Sequence, residues 1–199
     1  MPRTGVRVTN AARRIPLQTG KRVSALLRGR LTFVDPSTGR RKRFPTHVVG
    51  GVRRGDPSVK DLDILVVAPG AMAPRDLLPS VRLAPHPDLS IAEVYTSGPR
   101  RVGMVVAWSP PRGRKKLIAV DLFLATEREK PFALFHLTGP REYNIRVRAH
   151  AARAGYLLNQ YGVFLRSSGR RAPGSGDIKT ERQLAAFLGV TPRRPGDRR

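Results

Sequence analysis

The chain has 199 residues, with 38 Lys+Arg against 14 Asp+Glu, a formal net charge of +24 and no cysteine. This length allows one medium domain or two small ones. The lack of cysteine excludes disulfides, Cys-based zinc sites and thiol nucleophiles. The positive charge favours a polyanionic partner, with nucleic acid ahead of an anionic membrane. Because no apolar run is long enough to span a bilayer and no lipid-anchor motif is present, we predict nucleic acid as the partner and no membrane.

Residues 1–16 are rich in arginine, contain no acidic residue and lack the apolar core of a secretory signal. Two interpretations fit this composition. One is a flexible basic arm that lies on DNA, and the other is an organelle transit peptide. We favour the flexible arm.

The segment after this arm alternates between one helix and several strands. Apolar residues at helical spacing predict a helix over residues 17–31, in which Val23, Leu26, Leu27 and Leu31 share one face. Asp35-Pro36-Ser37, with Gly39 after it, predicts a turn. Strands are predicted at 62–67, 90–96, 102–108 and 116–125, and the basic loop "SPPRGRKK" joins the last two. Successive strands with few helices between them predict an α+β fold with an antiparallel or mixed sheet.

The chain changes character near residue 130. Helices are predicted over residues 131–137, 141–156 and 179–189, and a Gly/Ser/Pro-rich loop at 167–177 separates the last two. We therefore divide the chain into a basic arm (1–16), a sheet-based catalytic domain (17–128) and a small, mainly helical C-terminal subdomain (129–199).

Two aspartates stand inside one of the most apolar runs, "VKDLDILVVAP". On a strand, Asp61 and Asp63 would point to the same face, and Leu62 and Ile64 to the opposite one. Paired, half-buried carboxylates repel each other and lose hydration, which is costly unless a cation lies between them. The alternative is that each Asp ends a strand or pairs with an arginine.

A third aspartate, Asp121, lies in the apolar run "LIAVDLFLA". Three carboxylates on strands of one sheet could converge on Mg²⁺, which prefers carboxylate, water and phosphate oxygens. Two such ions can support an in-line displacement at phosphorus. For Asp121 too, a purely structural role is the alternative.

Gly50 and Gly51 follow an apolar strand in "VVGGVRRG". Glycines let the backbone approach a phosphate closely, and the N–H groups at the start of a helix bind anions. Arg53 and Arg54 add positive charge. A Gly-Gly pair alone is a weak signal, and its value comes from the nearby pair of aspartates.

Together these motifs resemble the X-family DNA polymerases related to polymerase beta. The resemblance rests on "GGVRRG" and "KDLDILV", then "VDLF", "FHLTGPREYNIRVRAHA" and "LNQYGVF", in that order over residues 18–195. The length resembles that of the compact viral members, the African swine fever virus type. The resemblance implies a nucleotidyltransferase palm, two Mg²⁺ ions (or Mn²⁺) and a nucleotide-binding C-terminal subdomain.

The resemblance also implies roles for single residues. Asp61 and Asp63 would bridge both metal ions, and Asp121 would bind the catalytic one. Gly50, Gly51 and Arg54 match residues that bind the triphosphate. Thr138 and Gly139 match the turn that contacts the incoming sugar. Asn144 and Arg148 match residues that contact the nascent base pair.

Independently of any relative, a spacing of four puts Asn144 and Arg148 on one helix face, while Tyr143, Val147 and Ala151 fall on an apolar face.

Two departures from the family pattern affect these roles. The family usually has Ser where Gly51 stands, so one hydroxyl contact to phosphate is missing. The family's aromatic pair before Thr-Gly is here His136-Leu137, which leaves discrimination against ribonucleotides open. His136 either contacts a nucleotide base or is merely structural. We expect Phe132 and Phe135 to lie in the core.

Scattered basic stretches, including Arg41 and Arg43 of "GRRKRF", suggest several phosphate contacts on both sides of a gap. We therefore predict a monomeric, template-directed DNA polymerase that binds gapped or nicked DNA and dNTPs and fills short gaps, with a DNA ligase as a candidate downstream partner.

The alternatives are a template-independent nucleotidyltransferase for RNA or a small acceptor, and a non-catalytic DNA-binding protein. The sequence does not choose between the nucleus and a viral replication site or virion.

Overall fold

The computed structural model describes residues 14–34, 38–68 and 77–198. Most of the predicted arm and the predicted turn at 35–37 lie outside the described residues. For residues 14–16 the prediction of a flexible arm is wrong. Strand β1 (Ile15–Pro16) pairs antiparallel with β5 (Ser58–Val59), and Ile15 is buried in the core.

A five-stranded sheet forms the centre of the fold, in the order β4-β6-β10-β9-β8. Strands β6 and β10 run parallel and the other neighbours run antiparallel. This mixed sheet confirms the predicted α+β class. The strands are β4 (Thr46–Val48), β6 (Leu62–Ala68), β8 (Leu89–Ser97), β9 (Arg101–Trp108) and β10 (Lys116–Thr126).

One face of this sheet carries the larger apolar core. Helix α1 (Leu17–Arg28) and the small sheet β3-β2-β7 cover it. The small sheet consists of β2 (Leu31–Val34), β3 (Arg41–Lys42) and β7 (Val81–Leu83). Leu31 was predicted on the helix, but the helix ends at Arg28 and Leu31 opens β2, where it is buried.

The opposite face of the sheet packs against helix α3 (Lys130–Thr138), through Leu65 and Val67 on the sheet and Ala133 on the helix. The short helix α2 (Gly50–Arg54) connects β4 to β5 near this face. The two faces therefore differ: one is a closed apolar core, and the other is shared between apolar packing and the carboxylates described below.

The C-terminal part contains α4 (Arg141–Arg153), α5 (Glu181–Phe187) and the hairpin β11 (Tyr156–Asn159)–β12 (Gly162–Leu165), around a core of its own. Phe132 and Phe135 are buried in that core, as predicted.

The hairpin was not predicted, and α4 ends at Arg153, whereas residue 156 was expected. The chain turns at Gly155, whose φ of 81° suits glycine. Nowhere in the described ranges is there a helix long and apolar enough to cross a membrane.

Candidate active site

Two neighbouring parallel strands bring aspartates side by side. Asp63 on β6 is the register partner of Asp121 on β10. Leu62 and Ile64 point into the larger core and are fully buried, so Asp63 faces the other side of the sheet, as the alternation predicts. Asp61 lies in the bend immediately before β6, which begins at Leu62 as predicted.

The ionised forms of Asp61 and Asp63 are disfavoured in this arrangement. Burial, followed by the charges of Asp61 and Asp121, raises the pKa of Asp63 to about 7. Burial and then the charge of Asp121 also raise the pKa of Asp61. Carboxylates disfavoured in their ionised form are what a cation would stabilise. Because their donors are all oxygens, Asp61, Asp63 and Asp121 fit a hard divalent ion such as Mg²⁺.

Asp121 is held by two other side chains. Arg101 donates from Nε to Oδ1 at 3.1 Å and from Nη2 to Oδ2 at 2.7 Å, and the Tyr95 hydroxyl donates to Oδ1 at 3.2 Å. Burial, then the charge of Asp121, raises the pKa of Tyr95 to about 12, so the hydroxyl stays protonated.

In this arrangement no three His, Asp or Glu side chains of the described chain form a metal cage. In this arrangement the Arg101 guanidinium occupies both oxygens of Asp121.

The start of α2 lies against these carboxylates because residues 50 and 51 have no side chains. Gly50 has a φ of 59°, and a Cβ there would lie 2.0 Å from Oδ2 of Asp63. A Cβ on Gly51 would lie 2.8 Å from Val59 and 2.9 Å from the carboxylate of Asp56. A side chain at residue 51 would therefore require Val59 and the Asp56 carboxylate to move.

Arg54, at the end of α2, joins the strand region to the turn after α3. Its guanidinium donates to the carboxylate of Asp56 and to the carbonyl oxygen of Thr138. Both partners lie close to the cavity described below. Arg54 itself lines that cavity.

Arg53 makes a different connection, from α2 to the C-terminal part. It donates to the Thr138 hydroxyl and forms an ion pair with Glu181 of α5, which also pairs with the buried Arg198 at 2.8 Å. Thr138 is fully buried. Its side chain therefore ties α3 to α2, while its carbonyl receives Arg54. No motif or spacing in the sequence singles out Glu181 or Arg198.

One face of α4 meets the end of α3. The Asn144 amide donates to the carbonyl oxygen of His136 at 2.7 Å, and Arg148 donates to Nδ1 of His136. Since a guanidinium has no acceptor, His136 accepts through Nδ1 and is neutral. Burial and then the charge of Arg148 lower the pKa of His136, in agreement with this. The opposite face of α4 is buried, as its spacing predicts.

A cavity of about 670 Å³ joins these elements. Most of the predicted site residues line it: Gly50, Gly51, Arg54, Asp61, Asp63, His136, Leu137, Gly139, Asn144 and Arg148. Asp121 and its partner Arg101 do not line the cavity, and Thr138 is buried. Arg41 and Arg43 are exposed on and beside β3, away from the cavity.

The cavity also contains charged residues that sequence reasoning missed. Arg14 is anchored by Nε and Nη2 to the hydroxyl and carbonyl oxygens of Ser58, at 2.8 and 2.7 Å. Lys60 and Arg141 add two more cations. Their only sequence signal was proximity: Lys60 precedes Asp61, and Arg141 follows the Thr-Gly turn. Together they make the cavity suited to a polyanionic ligand.

Known proteins share this architecture. A family model described as the DNA polymerase beta thumb matches residues 133–199. Repair DNA polymerase X of African swine fever virus (isolate Pig/Kenya/KEN-50/1950) is 35% identical over 186 residues, which are 92% of this chain and 99% of the viral protein.

The Bacillus subtilis (strain 168) DNA polymerase/3′-5′ exonuclease PolX is 28% identical over 73% of this chain and 23% of its own length. The fold also matches the crystal structure of Leishmania infantum polymerase beta in a ternary P/T complex, with a TM-score of 0.68, 21% identity, and coverage of 94% of this chain and 77% of that one. These relatives lend no support to a template-independent nucleotidyltransferase for RNA or a small acceptor, or to a non-catalytic DNA-binding protein. Because it is 35% identical to a repair polymerase over 92% of its length, this chain belongs to the X family of DNA polymerases.

Proposed function

We propose that this polymerase fills short gaps during DNA repair, joining the nucleotide of a dNTP to a primer 3′-hydroxyl opposite a template base. The observation that carries the proposal is the cavity itself. Its walls combine two carboxylates, Asp61 and Asp63, with the N-terminus of α2 on one side and the Asn144–Arg148 face of α4 on the other. Acid, anion-binding and base-facing groups thus share one space.

The chain's own groups account for substrate binding. The backbone N–H groups of Gly50 and Gly51, with Arg54, bind the triphosphate, since a helix start and a guanidinium both favour anions. The turn from Thr138 to Gly139 lies beside the incoming sugar. The smaller His136-Leu137 pair stands where relatives of the family place aromatic rings.

Base selection belongs to α4 in this proposal. Asn144 contacts the incoming nucleotide and Arg148 the template side of the nascent pair. His136 links them, because its carbonyl oxygen and its Nδ1 accept from these two residues. A change in any of the three therefore shifts the other two.

Asp61 and Asp63 would hold both divalent ions, with Asp121 as a ligand of one of them; Mg²⁺ is the physiological candidate and Mn²⁺ a substitute. When bound, such ions neutralise phosphate charge and lower the pKa of the attacking hydroxyl. The pairing of Asp63 with Asp121 in the sheet supports this proposal, because it places the two residues at adjacent backbone positions.

The partners follow from this chemistry. Gapped or nicked DNA and dNTPs are the substrates, the polymerase acts as a monomer, and the nick it leaves is a substrate for a DNA ligase. Arg41, Arg43 and the other exposed cations bind phosphates outside the cavity.

Primer extension on DNA with a one-nucleotide gap tests the proposal. Each of the four template bases is combined with each of the four dNTPs in the presence of Mg²⁺. We expect one addition, chosen mainly by the template base. Addition without regard to template, or a preference for an RNA end, would point to the transferase alternative. No addition under any condition would leave only DNA binding.

A further inference from the structure

Tyr95 reaches Asp121 across an intervening strand. Tyr95 belongs to the edge strand β8, Asp121 to β10, and β9 runs between them. The Tyr95 hydroxyl nevertheless lies 3.2 Å from Oδ1 of Asp121. Two features of the backbone make this contact possible.

The first feature is a glycine on the strand between them. Gly103 of β9 is the register partner of Asp121. A Cβ on Gly103 would lie 2.4 Å from Cε2 and 2.6 Å from Cζ of Tyr95. The tyrosine ring therefore rests on the bare backbone of Gly103, and any side chain at residue 103 would displace it.

The second feature is an irregularity in β8. Val94 pairs with Met104 and Thr96 pairs with Gly103, so Tyr95 is an extra residue without its own partner on β9. A β-bulge of this kind changes the direction of a side chain, and bulges are frequent next to active sites. Here the bulge directs Tyr95 over Gly103 towards the carboxylate.

We propose that Tyr95 is a positioning residue that holds the Asp121 carboxylate in the orientation needed for nucleotidyl transfer. The inference rests on the proposed function, in which Asp121 is a metal ligand. Arg101 is the partner that a metal ion replaces, because both are positive and Arg101 occupies both carboxylate oxygens. Its side chain is 54% exposed and can leave towards solvent.

Tyr95 differs from Arg101 because it is a neutral donor. A carboxylate offers about four lone-pair sites, so one hydroxyl on Oδ1 leaves the others for a cation. Hydrogen bonds to metal ligands commonly change metal affinity or activity by about 10–100-fold when they are removed. Tyr95 can thus remain in place while Arg101 leaves.

The test compares Tyr95→Phe with the wild type on gapped DNA. The variant keeps the ring and loses only the hydroxyl. We expect kcat to fall about tenfold, while the KM for dNTP and the Kd for gapped DNA stay within about twofold. Mn²⁺ binding, measured by the EPR signal of free Mn²⁺ with gapped DNA carrying a dideoxy-terminated primer, should weaken severalfold.

The matched control is Tyr156→Phe, which removes a hydroxyl from the tyrosine that packs against Phe187 in the C-terminal core. It should change neither kcat nor Mn²⁺ binding. Gly103→Ala should reduce kcat at least as much as Tyr95→Phe, because the added methyl displaces the ring.

Unchanged kcat and unchanged Mn²⁺ affinity in Tyr95→Phe would overturn the positioning role. Asp121→Asn, measured alongside, separates this failure from that of the proposed function. If Asp121→Asn abolishes incorporation while Tyr95→Phe behaves as wild type, only the role of Tyr95 is wrong. If Asp121→Asn is also fully active, the proposed function itself is wrong at this residue.

Discussion

Asp63 on β6 and Asp121 on the parallel strand β10 are register partners, so their side chains begin at adjacent backbone positions on one side of the sheet. Asp61 lies just before β6, and Asp121 accepts hydrogen bonds from Arg101 and Tyr95. Burial, followed by the charges of neighbouring carboxylates, raises the pKa values of Asp61 and Asp63. Without a cation, the ionised forms of these carboxylates therefore destabilise the folded state.

Asp63→Asn should stabilise the metal-free protein. The raised pKa of Asp63 means that its ionised form disfavours the folded state, and this penalty grows as the pH rises from about 4 to about 7. At pH 8 without divalent ions, we expect the free energy of unfolding to rise by on the order of 2 kcal/mol. Chemical denaturation measures it, with the exposed Asp177→Asn as the control. A less stable Asp63→Asn protein would contradict the charge assignment.

Metal binding should depend on pH through the same carboxylate. Below about pH 7 Asp63 carries a proton that a metal ion must displace. The affinity for Mn²⁺ should therefore rise by up to about tenfold per pH unit between pH 5 and 7, and level off above. Calorimetry in buffers of different ionisation enthalpy would detect the released proton. An affinity that is constant over this range would show that Asp63 is not a ligand.

Base selection and the salt dependence of DNA binding should depend on different residues. Arg148→Ala should change misinsertion ratios but not the salt dependence of DNA binding, because Arg148 lines the cavity. The double variant of Arg41 and Arg43 should weaken binding to all gaps alike. Engagement of about six phosphates gives a log–log salt slope near −5, which the double variant would reduce. The reverse pattern, with misinsertion altered only by the double variant, would refute this division.

Glu181→Gln should loosen the connection between α2 and the C-terminal part. Glu181 pairs with Arg53 and with the buried Arg198, and its pKa is lowered because these partners outweigh the effect of burial. Its ionised form stabilises the fold above the pKa of the unfolded chain, and this is lost as the pH falls through the folded value.

Loss of this charge should cost about 2–3 kcal/mol at pH 7, because it leaves a buried arginine without its counter-ion. Glu127→Gln is the matched control, since Glu127 pairs with Lys130 at the surface and is worth about 0–1 kcal/mol. Equal effects of the two substitutions would argue against a structural role for Glu181.

Local pattern was enough to predict the central sheet. Apolar runs predicted strands β6, β9 and β10. The alternation of residues along a strand predicted the face on which Asp63 lies. The hairpin β11–β12 was missed because its strands are only four residues long, and such short apolar runs do not distinguish a helix end from a strand.

Contacts between distant parts of the chain could not be predicted in this way. Arg53 and Glu181 are 128 positions apart, and neither stands out in its own segment. The contact of Arg14 with Ser58 depends on the pairing of β1 with β5. Strands of two residues are too short to show a recognisable sequence pattern. In the sequence, Tyr95 is an ordinary strand residue. Its contact with Asp121 depends on the β-bulge and on Gly103 of the neighbouring strand.

Single-turnover incorporation into a one-nucleotide gap, at saturating enzyme and dNTP, tests most directly whether the three carboxylates carry nucleotidyl transfer. Asp61→Asn, Asp63→Asn and Asp121→Asn should each lower the rate by at least about a thousandfold, since each would remove one of the proposed metal ligands. Affinity for gapped DNA and circular dichroism should remain those of the wild type. Incorporation at a near wild-type rate by Asp63→Asn or Asp121→Asn would contradict the assignment of this site.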